Sequence, residues 1–411
     1  MELLPARRYG NDISGSADYA GHCIIIAPDY EGYGITKDQP HPYLSQRTTA
    51  QQMADAVRYG LKLYEKTVSE GTIPALLPMK SDWRSFCVGY SQGGTVSLAT
   101  QRLIEEEGLA DELRFQGSIC GDGPYDLINT LRFYLEDDGT SYGVQTPHRK
   151  CLAPYPVVVP LIMKGMCDTH PAMAPYKYED FLSRQMLDTG VLGWIDSKAY
   201  TTDDIAEKWY KQLQEGRDTL DRHYTPEQMA ELFESPSQGK VWAKMEKVFT
   251  KDIYDYLSDP SNFNHVPEHP ANAPQAMHRA LADNALSSGW EPQHRIQFFH
   301  SKHDIIVPYG NYLTFQAAHP LCREMYGIND TFSEGDHFDA GTAFLVNLLA
   351  AKTYADVFNW ICGIPTGIKT LQDEGFKAEG DEWYDLSGRR LNGKPAKRGF
   401  YIQQGKKYLV E

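Results

Sequence analysis

The sequence predicts an α/β fold, in which helices flank a mostly parallel β-sheet. Short apolar runs with strand character alternate with longer helical stretches, and a G-x-S-x-G pentapeptide lies between one such run and the helix that follows it. This alternation is typical of parallel sheets, because two parallel strands need a long connection that is usually helical. With 41% hydrophobic and 23% charged residues, the composition is that of a folded globular protein and excludes disordered and fibrous classes.

The apolar and helical periodicities predict individual elements. Strands are expected at residues 23–27, 86–89, 117–120 and 296–299. Helices are expected at residues 49–69, 95–107, 311–319 and 342–358. The first run, H-C-I-I-I-A-P at 22–28, has the unbroken apolar character of a fully buried parallel strand, and no strand-like run precedes it. We therefore expect that N-terminal strands of the sheet are missing from this chain.

Changes of pattern along the 411 residues predict three parts. Residues 1–152 and 292–365 carry the alternation of strands and helices and form the α/β core. Residues 153–291 contain helical stretches separated by Pro, Asp and Gly, with no convincing strand. They predict a helical cap inserted into the core. Residues 366–411 predict a separate, basic β tail.

Two local patterns support helices in the cap. Thr225, Pro226 and Gln228 are typical of a helix start with a capping box, and residues 238–257 repeat apolar residues at helical spacing. Methionines are adaptable, so those of the cap either fill its core or form an apolar surface over a substrate. They are seven of the chain's eleven: Met163, Met166, Met173, Met186, Met229, Met245 and Met277.

The tail has its own charge and pattern. Residues 383–411 hold seven Lys or Arg against two acidic residues, a net charge of 7 − 2 = +5, and short runs at 383–386, 399–403 and 407–410 predict strands. The motifs Y-D-L-S-G-R-R and G-F-Y-I resemble C-terminal modules of secreted or surface proteins of Bacteroidetes bacteria. This resemblance implies a secreted or cell-surface protein; a basic, solvated β-hairpin without a sorting role is the alternative.

Charge and composition narrow the possible partners. The net charge of −15 would repel nucleic acid, and no apolar stretch approaches the roughly 20 residues that span a bilayer. The start of the chain lacks the pattern of a signal peptide. Seven scattered cysteines do not form a disulfide scaffold; Cys151 with Cys167, or Cys322 with Cys362, could pair, and the sequence leaves that open.

The pentapeptide at 89–93 places Ser91 between a strand and a helix. A serine there lies on a sharp, strained turn that exposes its Oγ, and only residues without a β-carbon flank it closely on both sides. Ser91 is therefore the expected nucleophile, with Gly89 and Gly93 required by space. An ordinary glycine-rich turn is the alternative.

A serine nucleophile needs a histidine base and a carboxylate that orients it. Asp304 lies five residues beyond the apolar run 296–299, and an acid just past the carboxyl end of a strand faces the same edge of the sheet as Ser91. His337 lies in a polar loop just before a predicted helix and is the expected base. Asp336 and Asp339 are alternative acids.

Two further expectations concern the oxyanion and metals. The backbone N–H of Gln92, the residue after the nucleophile, is the expected donor to the oxyanion. The second donor normally follows the strand that precedes residues 23–27, which would fall at or before Met1.

His300 and His303 with Asp304, and His265 with His269, mimic metal-binding spacing, but no third ligand is evident on one face, so no metal or cofactor is expected.

The chain contains five motifs: P-D-Y-E-G-Y-G at 28–34, G-Y-S-Q-G-G at 89–94, G-D-G-P at 121–124, H-S-K-H-D-I-I-V-P-Y at 300–309 and G-D-H at 335–337. Together they resemble the α/β-hydrolase superfamily and, within it, the secretory lipase family, whose members carry a large helical cap. The similarity spans about residues 23–362. It implies an α/β-hydrolase fold and a serine esterase or lipase.

Carried over by position, the resemblance implies Ser91 as nucleophile, Asp304 as acid, His337 as base and Gln92 as oxyanion donor. The leading hypothesis is a hydrolase of carboxylic esters, acting on a small-molecule, carbohydrate or lipid ester. A serine peptidase with the same triad is one alternative. The other is a non-catalytic surface protein that binds glycans or proteins through the cap and the basic tail.

Overall fold

The computed structural model describes residues 2–5, 24–73, 78–216, 224–320, 328–329, 335–349, 383–384, 390–391, 393, 395, 399–403 and 406–410. The chain divides into two compact units, Met1–Cys362 and Gly363–Glu411. The boundaries predicted for core, cap and tail stay predictions.

The described strands of the first unit are β1 (Glu2–Pro5), β2 (Ile24–Ala27), β3 (Ser85–Tyr90), β4 (Phe115–Gly121), β5 (Leu152–Ala153), β6 (Phe233–Glu234), β7 (Trp242–Lys244), β8 (Arg295–Phe299) and β9 (Ile328–Asn329). Its described helices are α1 (Gln46–Glu70), α2 (Gln92–Glu106), α3 (Leu127–Glu136), α4 (Val158–Thr169), α5 (Tyr178–Phe181), α6 (Arg184–Leu187), α7 (Val191–Ser197), α8 (Thr202–Glu215), α9 (Pro226–Leu232), α10 (Met245–Val248), α11 (Lys251–Ser258), α12 (Ala273–Asp283), α13 (Gly310–Ala318) and α14 (His337–Leu349). Short 3-10 helices lie at Gly34–Thr36, Ser141–Gly143 and Pro260–Phe263.

The central sheet has the strand order β3-β4-β8-β9, and each neighbouring pair is parallel. Gly121 is paired with Tyr90 on one side and with Phe299 on the other, so β3, β4 and β8 end along one edge. Loops that leave these strands therefore start side by side. This register brings distant parts of the sequence to one place.

Helices cover both faces of this sheet. Successive side chains of a strand point to opposite faces, and those at the end of β8 pack on different helices. The ring of Phe298 lies 4.9 Å from that of Phe315 on α13, whereas the ring of Phe299 lies 5.5 Å from that of Phe344 on α14. The predicted α/β architecture is confirmed, and the predicted strands and helices differ from the observed ones mainly at their ends. Of the predicted helix 342–358, residues 350–358 lie outside the described residues.

Strand β2 differs from the prediction. It pairs antiparallel with β1, with Glu2 opposite Ala27 and Pro5 opposite Ile24, and its isoleucines are only half-buried. The expectation of a fully buried parallel strand without a preceding neighbour is therefore wrong. A short apolar run of β-branched residues fits either pairing direction, and its periodicity does not decide between them.

The segment predicted as the cap contains strands as well as helices. A three-stranded antiparallel sheet has the order β5-β7-β6, so the expectation of no strand in residues 153–291 is wrong. The helix predicted at 238–257 is split into β7, α10 and α11. The cause is tertiary pairing, because Phe249 forms a bridge with Leu182 in extended conformation and so ends α10.

Other expectations for this segment are confirmed. Thr225 Oγ1 accepts the N–H of Gln228, Gln228 Oε1 accepts the N–H of Thr225 at 2.9 Å, and Pro226 is the first residue of α9. The seven methionines are all buried in one hydrophobic cluster. They pack the core of the segment and do not form an exposed apolar surface.

The second unit contains strands β10 (Trp383–Tyr384), β11 (Arg390–Leu391), β12 (Gly399–Gln403) and β13 (Lys406–Val410). They form an antiparallel sheet of order β11-β10-β12-β13, which confirms a small C-terminal β module; β11 was not predicted. The sorting role of the module stays a prediction.

The structure bears on membrane-spanning helices and on the disulfides that the sequence left open. Across the described residues, every helix is too short or too polar to cross a bilayer. Cys151 and Cys167 both carry free thiols, so they do not form the disulfide that the sequence left open. Cys322 and Cys362 lie outside the described residues.

Candidate active site

Ser91 occupies a strained turn between β3 and α2. Its backbone has φ 56° and ψ −122°, a conformation that is costly for a residue with a β-carbon. Its N–H donates to the carbonyl oxygen of Gly121 at 2.8 Å, which fixes the turn to the neighbouring strand. The strand, turn and helix follow one another as predicted.

The glycines around Ser91 have different roles. A β-carbon on Gly89 would lie 2.1 Å from the carbonyl oxygen of Gly93, and one on Gly94 would lie 2.5 Å from the carbonyl oxygen of Gly121. A β-carbon on Gly93 itself would meet no atom within 4 Å. Space therefore requires glycine at 89 and 94, and the expectation that it requires glycine at 93 is wrong.

Ser91, His337 and Asp304 form a hydrogen-bonded chain. His337 Nε2 lies 2.9 Å from Ser91 Oγ, and His337 Nδ1 lies 2.5 Å from Asp304 Oδ2. The other carboxylate oxygen of Asp304 accepts the N–H groups of Ile306 and Val307, each at 2.8 Å. With Nδ1–H donating to Asp304, the Nε2 lone pair of His337 faces the serine hydroxyl.

The side chains of Asp304 and His337 are shielded from water. Asp304 is 1% exposed and His337 is 6% exposed. Burial opposes the charged form of His337, but the charge of Asp304 and its hydrogen bond outweigh burial, and Asp336 acts in the same direction. The pKa of His337 is therefore raised above its usual value.

A second buried carboxyl group, that of Asp122, lies beside this chain. Asp122 follows β4, and its Oδ1 accepts the N–H of Ser301 at 2.8 Å, while its Oδ2 lies 2.7 Å from Tyr90 Oη. Burial raises the pKa of Asp122 well above that of a free aspartate; the charge of His300 opposes this shift, and that of Asp304 adds to it. Asp122 belongs to the G-D-G-P motif at 121–124, but no role was predicted for it. The carboxyl end of a central parallel strand was the signal that could have found it.

Gln92 is the first residue of α2, where backbone N–H groups have no partner within the helix. Its side-chain amide lies 3.3 Å from His41 Nε2, and His41 Nδ1 lies 2.9 Å from the carbonyl oxygen of Glu31. A carbonyl only accepts, so Nδ1 carries the proton and Nε2 accepts from Gln92. Burial lowers the pKa of His41, which favours this neutral form. The loop after β2 thus contacts the turn of Ser91 through a histidine that sequence reasoning missed.

His300, whose spacing from Asp304 resembles that of metal ligands, contacts a backbone group in the structure. His300 Nε2 lies 2.9 Å from the carbonyl oxygen of Val307 and so has a structural partner. Within the described ranges, the group of side chains close enough to share a metal ion is Asp122, Asp304 and His337. Of these, Asp304 and His337 are hydrogen-bonded to each other, and both oxygens of Asp122 contact protein groups.

Residues of the predicted cap contact the loop and helix that carry His337. The ring of Tyr155 lies edge-on 5.9 Å from that of Phe338, whose side chain is 53% exposed. Lys240 Nζ lies 3.7 Å from Asp336 Oδ2. The segment 153–291 therefore borders the site.

No family model and no curated protein sequence matches this chain. Solved structures do match its fold. The rice cell wall degrading esterase LipA from Xanthomonas oryzae superposes with a TM-score of 0.53 at 20% identity, over 87% of this chain and 78% of that one. A putative hydrolase from Legionella pneumophila superposes with a TM-score of 0.57 at 14% identity, over 85% of this chain and 73% of that one.

The chain has the α/β-hydrolase fold. The matches and the parallel sheet with helices on both faces agree on this point. Identities of this size establish the fold alone. The narrower resemblance to the secretory lipase family stays a prediction.

Proposed function

We propose that the protein is a serine hydrolase of carboxylic esters. The observation that carries this proposal is the hydrogen-bonded chain from Ser91 Oγ through His337 to Asp304. A strained serine turn next to a buried histidine and carboxylate is difficult to explain by packing alone, since burial of such polar groups is costly.

In the proposed mechanism, Ser91 Oγ attacks the ester carbonyl carbon while His337 Nε2 accepts the hydroxyl proton. Asp304 stabilises the resulting imidazolium and holds its orientation. The backbone N–H of Gln92 donates to the negative oxygen of the tetrahedral intermediate. His337 then returns the proton to the leaving alcohol, and an acyl-enzyme forms on Ser91. Water, deprotonated by the same histidine, attacks the acyl-enzyme and releases the acid.

Two considerations favour an ester over an amide substrate. One matching structure is described as an esterase, and the motifs at 89–94 and 300–309 resemble those of esterases and lipases. The helical segment beside Phe338 is proposed to act as the cap that selects the acyl or alcohol group.

We also propose a secreted or surface location, on the pattern of the tail alone. Finding the protein only inside cells of its source would contradict this location.

The test uses the full chain and p-nitrophenyl esters from acetate to octanoate. Wild type is expected to hydrolyse at least one ester, and Ser91→Ala to lose about a thousand-fold or more in kcat. Ser288→Ala, which changes an exposed serine outside the site, is the matched control. A fluorophosphonate probe should label wild type and the control but not Ser91→Ala. Equal hydrolysis by wild type and Ser91→Ala would refute the proposal; absence of both turnover and labelling would favour the non-catalytic binding protein.

A further inference from the structure

Tyr90 links the strand that precedes Ser91 to the helix that begins at His337. Its hydroxyl oxygen lies 2.6 Å from the backbone carbonyl oxygen of His337 and 2.7 Å from Asp122 Oδ2. None of the steps in the proposed mechanism uses Tyr90 or Asp122. Tyr90 nevertheless directly precedes the proposed nucleophile, and its hydroxyl contacts the backbone of the proposed base.

The two short contacts of Tyr90 determine where protons lie. A tyrosine hydroxyl has one proton, and the carbonyl of His337 can only accept, so this contact takes the proton of Tyr90. The contact with Asp122 is then a hydrogen bond only if the carboxyl group is protonated and donates. If Asp122 were ionised, Tyr90 could donate to only one of two acceptors. The N–H of Ser301 donates to Asp122 Oδ1, which places the proton on Oδ2.

Several charged or titratable groups lie near Asp122. Burial and the charge of Asp304 favour its neutral form, while His300, Tyr90 and His337 act in the opposite direction. His300 Nδ1 lies 3.8 Å from Asp122 Oδ1, too far for a hydrogen bond. The groups facing Asp122 are Tyr90 on β3, Tyr125 after β4, His300 and Asp304 after β8, and His337 on α14.

Two glycines provide the space for the ring of Tyr90. A β-carbon on Gly121 would lie 2.6 Å from Tyr90 Cδ2, and one on Gly341 would lie 2.9 Å from Tyr90 Cε1. The ring also lies 5.4 Å from that of Phe344. Tyr90 is therefore held between the end of the sheet and helix α14, with little freedom to turn its hydroxyl elsewhere.

We propose that Tyr90 and neutral Asp122 are positioning residues for the base. Asp122 Oδ2–H donates to Tyr90 Oη, and Tyr90 Oη–H donates to the carbonyl oxygen of His337. This holds the first residue of α14 at a fixed distance from the strand end that carries Ser91. The inference rests on the proposed function, because it assigns Tyr90 and Asp122 a role in that same site.

Tyr90→Phe removes the link without a change of ring volume. We expect kcat to fall about ten-fold with little change in KM, because a small displacement of the base slows the chemical step more than it weakens binding. Tyr256→Phe is the matched control, since it removes a tyrosine hydroxyl that bonds to His278 at 2.9 Å within the predicted cap.

Asp122→Asn tests whether Tyr90 requires a neutral hydrogen-bond donor or a carboxylate at position 122. Asparagine keeps a donor for Tyr90 and an acceptor for Ser301, and it tolerates the φ of 35° at this position. We expect it to retain kcat within about three-fold of wild type. Since neutral Asp122 and asparagine have the same charge, the rise of kcat/KM with pH should occur at the same pH as in wild type.

An infrared measurement gives a readout independent of activity. At the pH where kcat/KM reaches its plateau, wild type should show the C=O band of a protonated carboxyl group that Asp122→Asn lacks. The inference is overturned if this band is the same in both proteins, if Tyr90→Phe keeps the wild-type kcat, or if Asp122→Asn loses as much kcat as Tyr90→Phe. In each case an inactive Ser91→Ala leaves the proposed function standing, whereas a fully active Ser91→Ala refutes that function itself.

Discussion

Asp304 Oδ2 lies 2.5 Å from His337 Nδ1, and Asp304 keeps its second oxygen bonded to two backbone N–H groups. The carboxylate is thus fixed on one side by its own loop and directed on the other side at the base. An acceptor held in this way selects the tautomer of His337 in which Nε2 faces Ser91.

Asp304→Asn should therefore lower kcat by about 10³-fold to 10⁴-fold, because an amide nitrogen facing Nδ1 favours the wrong tautomer of His337. The fold should persist, since the amide oxygen can still accept from Ile306 and Val307. Ester hydrolysis and thermal unfolding of both proteins provide the measurement. A variant with more than a tenth of the wild-type kcat would mean that another carboxylate, such as Asp336 or Asp122, orients the base.

The rate should depend on pH through His337. Its pKa is raised above 6.5 by Asp304, and only neutral His337 can accept the proton of Ser91. Therefore kcat/KM should rise with pH and reach half of its plateau above pH 6.5. Asp336→Asn removes one of the charges that raise this pKa and should move the midpoint to lower pH. A wild-type midpoint below 6.5 would contradict this electrostatic account.

The glycines of the turn give a prediction about stability. Gly94→Ala places a β-carbon 2.5 Å from the carbonyl oxygen of Gly121, so α2 must move away from the sheet. We expect a loss of about 2–4 kcal/mol in the free energy of unfolding, together with a loss of activity. Gly93→Ala is the adjacent control, for which no atom lies within 4 Å, and it should fold as stably as wild type. Denaturant unfolding of the two variants measures the difference, and equal stability would contradict the steric argument.

The sequence predicted the α/β core because its signals are local. The apolar run before Ser91 and the helix after it are each visible within about ten residues, and both were found in the structure with small shifts at their ends. The order of Ser91, Asp304 and His337 was equally visible, and the structure places them within hydrogen-bonding distance. Their catalytic roles remain a proposal.

The features that were not predicted from the sequence depend on contacts between segments that are distant in the chain. The helix predicted at 238–257 is interrupted because Phe249 pairs with Leu182, and nothing near Phe249 in the chain indicates that partner. Tyr90 and Asp122 are 32 residues apart, and their contact follows from the register of β3 and β4. The pairing of β2 with β1 was missed for the same reason, since apolar character does not specify direction.

The contact between Tyr155 and Phe338 predicts how the helical segment affects substrate choice. Phe338 follows the base, is half-exposed and packs edge-on against Tyr155, and we propose that these two rings contact the acyl or alcohol chain of the substrate. We expect Phe338→Ala and Tyr155→Ala to raise KM about three-fold to ten-fold for the longest ester that wild type accepts, and to change KM for the acetate ester much less. Leu345→Ala, on the same helix and 58% exposed, is the control. Michaelis–Menten kinetics across a p-nitrophenyl ester series make the comparison, and a uniform change in KM for all chain lengths would show that these rings do not contact the substrate chain.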